Sequence, residues 1–168
     1  MSIVAQPRLP ILPLPTVQGH RWPARMYPGD LSQCSRVRAD LRADLAEMLD
    51  LPDDLTETIV LCASEAFANA AEHSRSGEDG GRVLRALYAP TPWTLRLVVV
   101  DDGARESKPE VPRQRTDREW EEAERGRGLF LIETLSSAWG TYPVVPFPFC
   151  ADLGTAVWTQ FTLAEAIR

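Results

Sequence analysis

Ser64-Glu65-Ala66-Phe67-Ala68-Asn69-Ala70-Ala71-Glu72-His73 is the run on which the reading of this chain turns. Leu55, Ile59, Cys62, Ala66 and Ala70 recur at helical spacing through it, so a helix from about Asp54 to His73 buries that stripe. Glu65, Asn69 and His73 stand at i, i+4 and i+8 and therefore line one face. Asn69 can offer its amide oxygen to a hard cation such as Mg²⁺. Glu65, once partly desolvated, can accept a proton from a hydroxyl or a water. The same spacing is also that of a solvated polar face, and the run alone does not choose between the two.

Upstream, Val37, Leu41, Leu45, Met48 and Leu49 predict an amphipathic helix over about 31–49, with Asp30 or Ser32 as its N-cap. Leu51-Pro52-Asp53-Asp54 separates it from the second helix. Arg21 to Tyr27 reads as one short strand, and Pro23 confines it to an edge. Downstream, Ser74 to Gly81 is a polar, glycine-rich turn. Arg82–Ala89 and Thr94–Val100 form a hairpin through Pro90-Thr91-Pro92. Residues 101–125 are charged and without apolar period, a length that in a compact domain signals function or mobility. Leu129, Ile132 and Leu135 predict a helix over Gly126–Trp139, and Gly154–Leu163 a last strand with Val157 and Phe161 inward. This order suits an α/β protein with helices on one face of a mixed sheet.

Three further motifs border these elements. Asp101-Asp102-Gly103 ends a hydrophobic strand; Asp101 can accept a hydrogen bond from an exocyclic amine, and Gly103 lets a flat ring approach the backbone. A plain Asp-Gly turn fits it as well. Gly126-Arg127-Gly128-Leu129 opens a helix whose free N–H groups and dipole favour phosphate, or it is merely a glycine-rich helix start. Gly154-Thr155-Ala156-Val157-Trp158 begins a strand and carries little signal alone.

Taken in order, the four motifs resemble the boxes of the GHKL ATPase superfamily, most closely its stand-alone anti-sigma-factor serine kinases. Ser64–His73 is similar to the N-box, Asp101–Gly103 to the G1 box, Gly126 to Gly140 to the G2 box, and Gly154–Trp158 to the last box. The resemblance runs from about Trp22 to Leu163. It implies a Bergerat ATP-binding fold, a two-layer α/β sandwich with a mixed, mostly antiparallel sheet and helices on one face. It also implies ATP and Mg²⁺ as cofactors, with Asn69 on the metal and Glu65 as catalytic base. Asp101 would take the adenine amine, Gly103 the ring, and Thr155 the adenine through water. Gly126 and Gly128 would cradle the phosphates, with His73, Arg127 and Leu129 in the same motifs and 104–125 as the ATP lid. Arg105 stands where many relatives carry a second glycine. A pocket that binds nucleotide without transferring it is the alternative this opens.

The implied partners are a sigma factor and an anti-anti-sigma (STAS-type) protein, and a homodimer is a further expectation to test. The detached catalytic domain of a sensor histidine kinase fits less well: His20 lies in the proline-rich start and His73 in the N-box. Composition narrows the rest. With 24 acidic against 18 basic residues the net charge of -6 argues against a general nucleic-acid binder. Cys34, Cys62 and Cys150 lack CxxC spacing and suit reduced thiols in a cytoplasmic protein. No apolar run reaches the roughly 20 residues of a membrane helix. Pro7, Pro10, Pro13 and Pro15 mark residues 1–20 as a flexible tail before a domain at 21–168.

Overall fold

The computed structural model describes residues 19–48, 51–103, 124–144 and 154–163. They form strands β1 (His20–Arg21), β2 (Arg25–Pro28), β3 (Arg82–Thr91), β4 (Thr94–Val100), β5 (Ala138–Pro143) and β6 (Thr155–Thr162). The helices are α1 (Cys34–Leu45), α2 (Asp53–His73) and α3 (Glu124–Leu135). One sheet runs β1-β3-β4-β6-β5, with β2 also on β3, and every ladder among the described residues is antiparallel.

Period-two alternation decides which face of the sheet is covered. Val83, Leu87 and Ala89 of β3, Leu95, Leu97 and Val99 of β4, and Val157 and Phe161 of β6 are all buried. The register sets Leu97 between Leu87 and Thr159, and Leu95 opposite Phe161, so these side chains share one face. Helix α2 lies across β3, β4 and β6, with α1 and α3 packed against it. Its inward stripe is Ile59, Cys62, Ala63, Ala66, Phe67 and Ala70, mostly small residues that let the helix approach the sheet closely. The chain is thus a two-layer α/β sandwich.

A buried ion pair interrupts this core. Arg85 of β3 is 1% exposed and donates to Asp44 of α1. Arg25 of β2 donates to the other Asp44 oxygen at 2.7 Å, and the Tyr27 hydroxyl to Asp40 at 3.1 Å. Burial pushes the Asp44 carboxyl up, but the Arg25 and Arg85 hydrogen bonds outweigh it and hold it below the usual carboxylate range. The cluster locks α1 onto the sheet edge.

The structure corrects several boundaries. The edge strand is two short ladders, since Pro23 has no N–H to pair, although the Trp22 N–H still reaches the Leu87 carbonyl at 3.2 Å. His20, expected in the tail, pairs with Ala89. Helix α1 begins at Cys34 after a 3-10 turn over Leu31–Gln33, capped by Asp30, which accepts from the Ser32 N–H. Strand β3 continues through Pro90 and Thr91, so the hairpin turns at Pro92 and Trp93.

Two corrections touch the last helix. It already includes Glu124, two residues before Gly126, because burial of Leu129 and Ile132 overrides the glycines' weak helix propensity. It ends at Leu135 and not at Trp139. The Ser136 N–H and hydroxyl both return to the Ile132 carbonyl, and the Ser137 N–H goes to Gln160 of β6. Residues 138–143 then form β5, a strand the sequence does not predict and whose first two residues, Ala138 and Trp139, fall in the expected helix. Residues 1–18 of the expected tail, 104–123 of the expected lid with Arg105, and Cys150 lie outside the described residues. Cys34 and Cys62 are free thiols. No described helix is long and apolar enough to cross a membrane.

Candidate functional site

Helix α2 supplies the wall of the site. Its apolar stripe points to the sheet, which leaves Glu65, Asn69 and His73 half-buried along the flank. From Glu65 to His73 the helix rises roughly 12 Å at 1.5 Å per residue. Asn69 Nδ2 and His73 Nε2 are buried and have no hydrogen-bond partner among the described residues. Two orphaned polar atoms one turn apart are costly unless something else engages them. The nearest charge to His73 is Glu72, at 3.8 Å. Burial, and then Glu72, pushes the Glu65 carboxyl above its ordinary range, a direction that suits proton acceptance near neutrality.

Helix α3 closes on Glu65 and Asn69. A Cβ on Gly128 would stand 2.6 Å from Glu65 Oε2 and 3.3 Å from Asn69 Nδ2, so any side chain there would displace the Glu65 carboxylate. Because α3 already includes Glu124, the Gly128 N–H falls after the first turn, where the free helix N–H groups are. What Gly128 supplies at this point is its missing side chain. Arg127 is exposed, whereas the Leu129 side chain is buried in the core and its N–H, like that of Gly128, lies past the first turn. Gly126 lies in the first turn of α3.

At the far end of α2, Asp101 follows β4 and is 8% exposed. Its Oδ1 accepts the Gly103 N–H at 2.8 Å and the Thr155 N–H at 2.9 Å. Burial raises the carboxyl's pKa, partly offset by those two N–H groups. Oδ2 has no hydrogen-bond partner among the described residues, so one acceptor of a rigidly held carboxyl stays available. Gly154 makes this arrangement fit: its φ is +131°, and a Cβ there would run into the Asp101 carbonyl oxygen. The Asp101 N–H in turn donates to the Thr155 carbonyl at 3.0 Å.

These two clusters belong to one frame, because the Arg75 N–H, just past α2, donates to the Gly103 carbonyl at 2.9 Å. Asp101 is hydrogen-bonded to both Gly103 and Thr155, and Gly128 faces both Glu65 and Asn69. Sequence alone gives no role to Ser74 and Ser76, which join the clusters, and names Asp102 only as part of the Asp101–Gly103 motif. Serines in a polar turn look solvated in a sequence, and only their burial in the fold singles them out.

A sandwich with a polar flank on its central helix, an acidic strand end and a glycine helix closing over the flank suits a nucleotide-binding domain. The chain matches the family described as Histidine kinase-like ATPase domain over residues 27–142, well over half of its 168 residues, and belongs to that family. A search of curated proteins found no match. Membership brings the capacity to bind ATP with Mg²⁺ and a regulatory, nucleotide-dependent role. The donors present fit such a ligand. An amide oxygen is a hard donor, and among the described residues no group of three or more His, Cys, Asp or Glu could hold a metal. A cation at Asn69 would therefore share its ligand shell with phosphate oxygens and water.

Proposed function

We propose that the chain is an ATP-dependent protein kinase of the anti-sigma-factor kind. It would move the γ-phosphoryl group of ATP to a serine of an anti-anti-sigma (STAS-type) partner and hold a sigma factor inactive. The observation that carries this reading is the pair of orphaned buried atoms on Asn69 and His73, aligned with a desolvated Glu65 under Gly128. In this reading Asn69 holds Mg²⁺, and His73 borders the nucleotide on the same face. Glu65 takes the proton of the attacking serine hydroxyl. Asp101 accepts from the adenine amine through Oδ2, Gly103 packs on the ring, and Thr155 reaches the base through water. Gly126, Arg127, Gly128 and the Leu129 backbone border the phosphates. Bound Mg-ATP supplies the transferable phosphoryl group, and the protein's part is positioning and charge stabilisation.

The test is to incubate the protein with γ-labelled ATP, Mg²⁺ and a candidate anti-anti-sigma protein. Label on a partner serine, lost in Glu65→Ala, is the expected result; no ATP binding would remove the reading altogether. Arg105, in place of the second G1 glycine, favours a second reading: a nucleotide-gated binding module. That reading expects tight ATP binding, no label, and the same behaviour in Glu65→Ala.

A further inference from the structure

We infer that Ser76 and Asp102 are a positioning pair that aims Asp101 at the base, an inference that rests on the ATP-binding reading above. Ser76 lies in a polar, glycine-rich loop, yet it is 1% exposed, and Ser74 beside it 2%. Its hydroxyl is used in both directions. It donates to the Arg82 carbonyl at 2.7 Å and accepts the Asp102 N–H at 2.9 Å. The Asp102 carboxylate closes the ring by accepting the Arg82 N–H at 2.7 Å.

The ring is anchored to α2. Ser74 Oγ donates to the Ala70 carbonyl at 2.6 Å and accepts the Ser76 N–H at 3.0 Å. Arg75 adds Nε to the Asp102 carbonyl at 3.2 Å and its N–H to the Gly103 carbonyl at 2.9 Å. Residue 102 is therefore tied from the α2 side, while Thr155 ties Asp101 from the β6 side. Two opposed sets of bonds leave the Asp101 carboxyl little freedom to turn. The direction of Oδ2, and with it recognition of an exocyclic amine, depends on that frame. Only a side chain that both donates and accepts can do what Ser76 does; alanine would strand a backbone N–H and a carbonyl.

A mere loop staple would alter stability and leave base selection alone, so the readout is selectivity. ATP and ITP differ at the base by the amine that Asp101 would recognise. Affinities for both, with Mg²⁺, are to be measured by calorimetry on the full chain and on Ser76→Ala, Asp102→Ala and Asp102→Asn. Asp102 is exposed, so its variants keep the test open should Ser76→Ala fail to fold. Ser76→Ala and Asp102→Ala should lose about tenfold in ATP affinity, the equivalent of one hydrogen bond, with ITP nearly unchanged. Asp102→Asn, which keeps an acceptor for the Arg82 N–H, should restore most of the preference. Folded variants with an unaltered ATP-to-ITP ratio overturn the positioning role while leaving ATP binding intact. A wild-type protein that binds neither nucleotide overturns the ATP-binding reading itself.

Discussion

Asp101 is pulled in opposite directions by its surroundings, and the balance makes a testable link between stability and binding. Its carboxyl is raised by burial against two N–H bonds. A raised carboxylate favours the fold below its unfolded pKa, about 3.9, and that contribution is lost as pH rises through the folded value. Asp101→Asn keeps an oxygen for the Gly103 and Thr155 N–H groups and removes the ionisation. Its Tm near pH 7.5 should therefore equal or exceed that of the wild type, with the difference shrinking toward pH 4. ATP affinity should fall at least about tenfold, since an amide NH₂ then faces the adenine amine. A variant that melts lower at pH 7.5 and binds ATP normally would contradict both halves. Gly128→Ala probes the other cluster. Alanine gains up to about 1 kcal/mol of helix propensity over glycine, while its methyl would push the Glu65 carboxylate aside. Melting should hardly move, and phosphoryl transfer to the partner should drop more than tenfold. Glu65, Asn69 and His73 were readable as one face from spacing alone. Their burial was not, because nothing in the local sequence says what closes over that face.

At the level of helices and strands, the Asp44–Arg85 contact between α1 and β3 holds the layers in register. Removing one partner of a buried ion pair leaves the other charge uncompensated, typically at about 3–5 kcal/mol. Asp44→Ala should lower Tm by roughly 6–20 °C on the usual scale for a domain of this size. The pH dependence has the opposite sign to that of Asp101. The Asp44 carboxyl is held low, so its stabilisation is present above the unfolded pKa and disappears as pH falls through the folded one. Acid melts of the wild type should therefore steepen below about pH 4, the unfolded carboxylate range, and those of Asp44→Ala should be flatter there. The helix itself was legible from Val37, Leu41 and Leu45. The ion pair was not, because its members are 41 positions apart. Strand β5 was missed for a related reason. Leu129, Ile132 and Leu135 set a helical period that runs on smoothly toward Trp139, and what stops it is β6, supplying an acceptor for the Ser137 N–H.

For the domain as a unit, nucleotide binding should appear as thermal stabilisation. A ligand at a hundred times its Kd adds about 2.7 kcal/mol, which corresponds to roughly 5–10 °C here. Mg-ATP should produce that shift. In Asn69→Ala most of the Mg²⁺ dependence should vanish, with a residual response to ATP alone. Equal shifts with and without Mg²⁺ in the wild type would argue against Asn69 as a metal ligand. The frame from Gly128 through α2 to Gly103 is continuous, and in the proposed kinase it would hold the two ends of a nucleotide together.

Periodicity and motif order, both local properties, were enough to establish the layered α/β class, the central helix and the order of the site's segments. Contacts between distant segments set the rest: the antiparallel partner of β6, the helical state of Glu124 to Gly126, the buried Asp44–Arg85 pair and the serine ring behind Asp101. A side chain's spacing follows from its own backbone, whereas its burial and its hydrogen-bond partners depend on which remote segment the fold brings beside it.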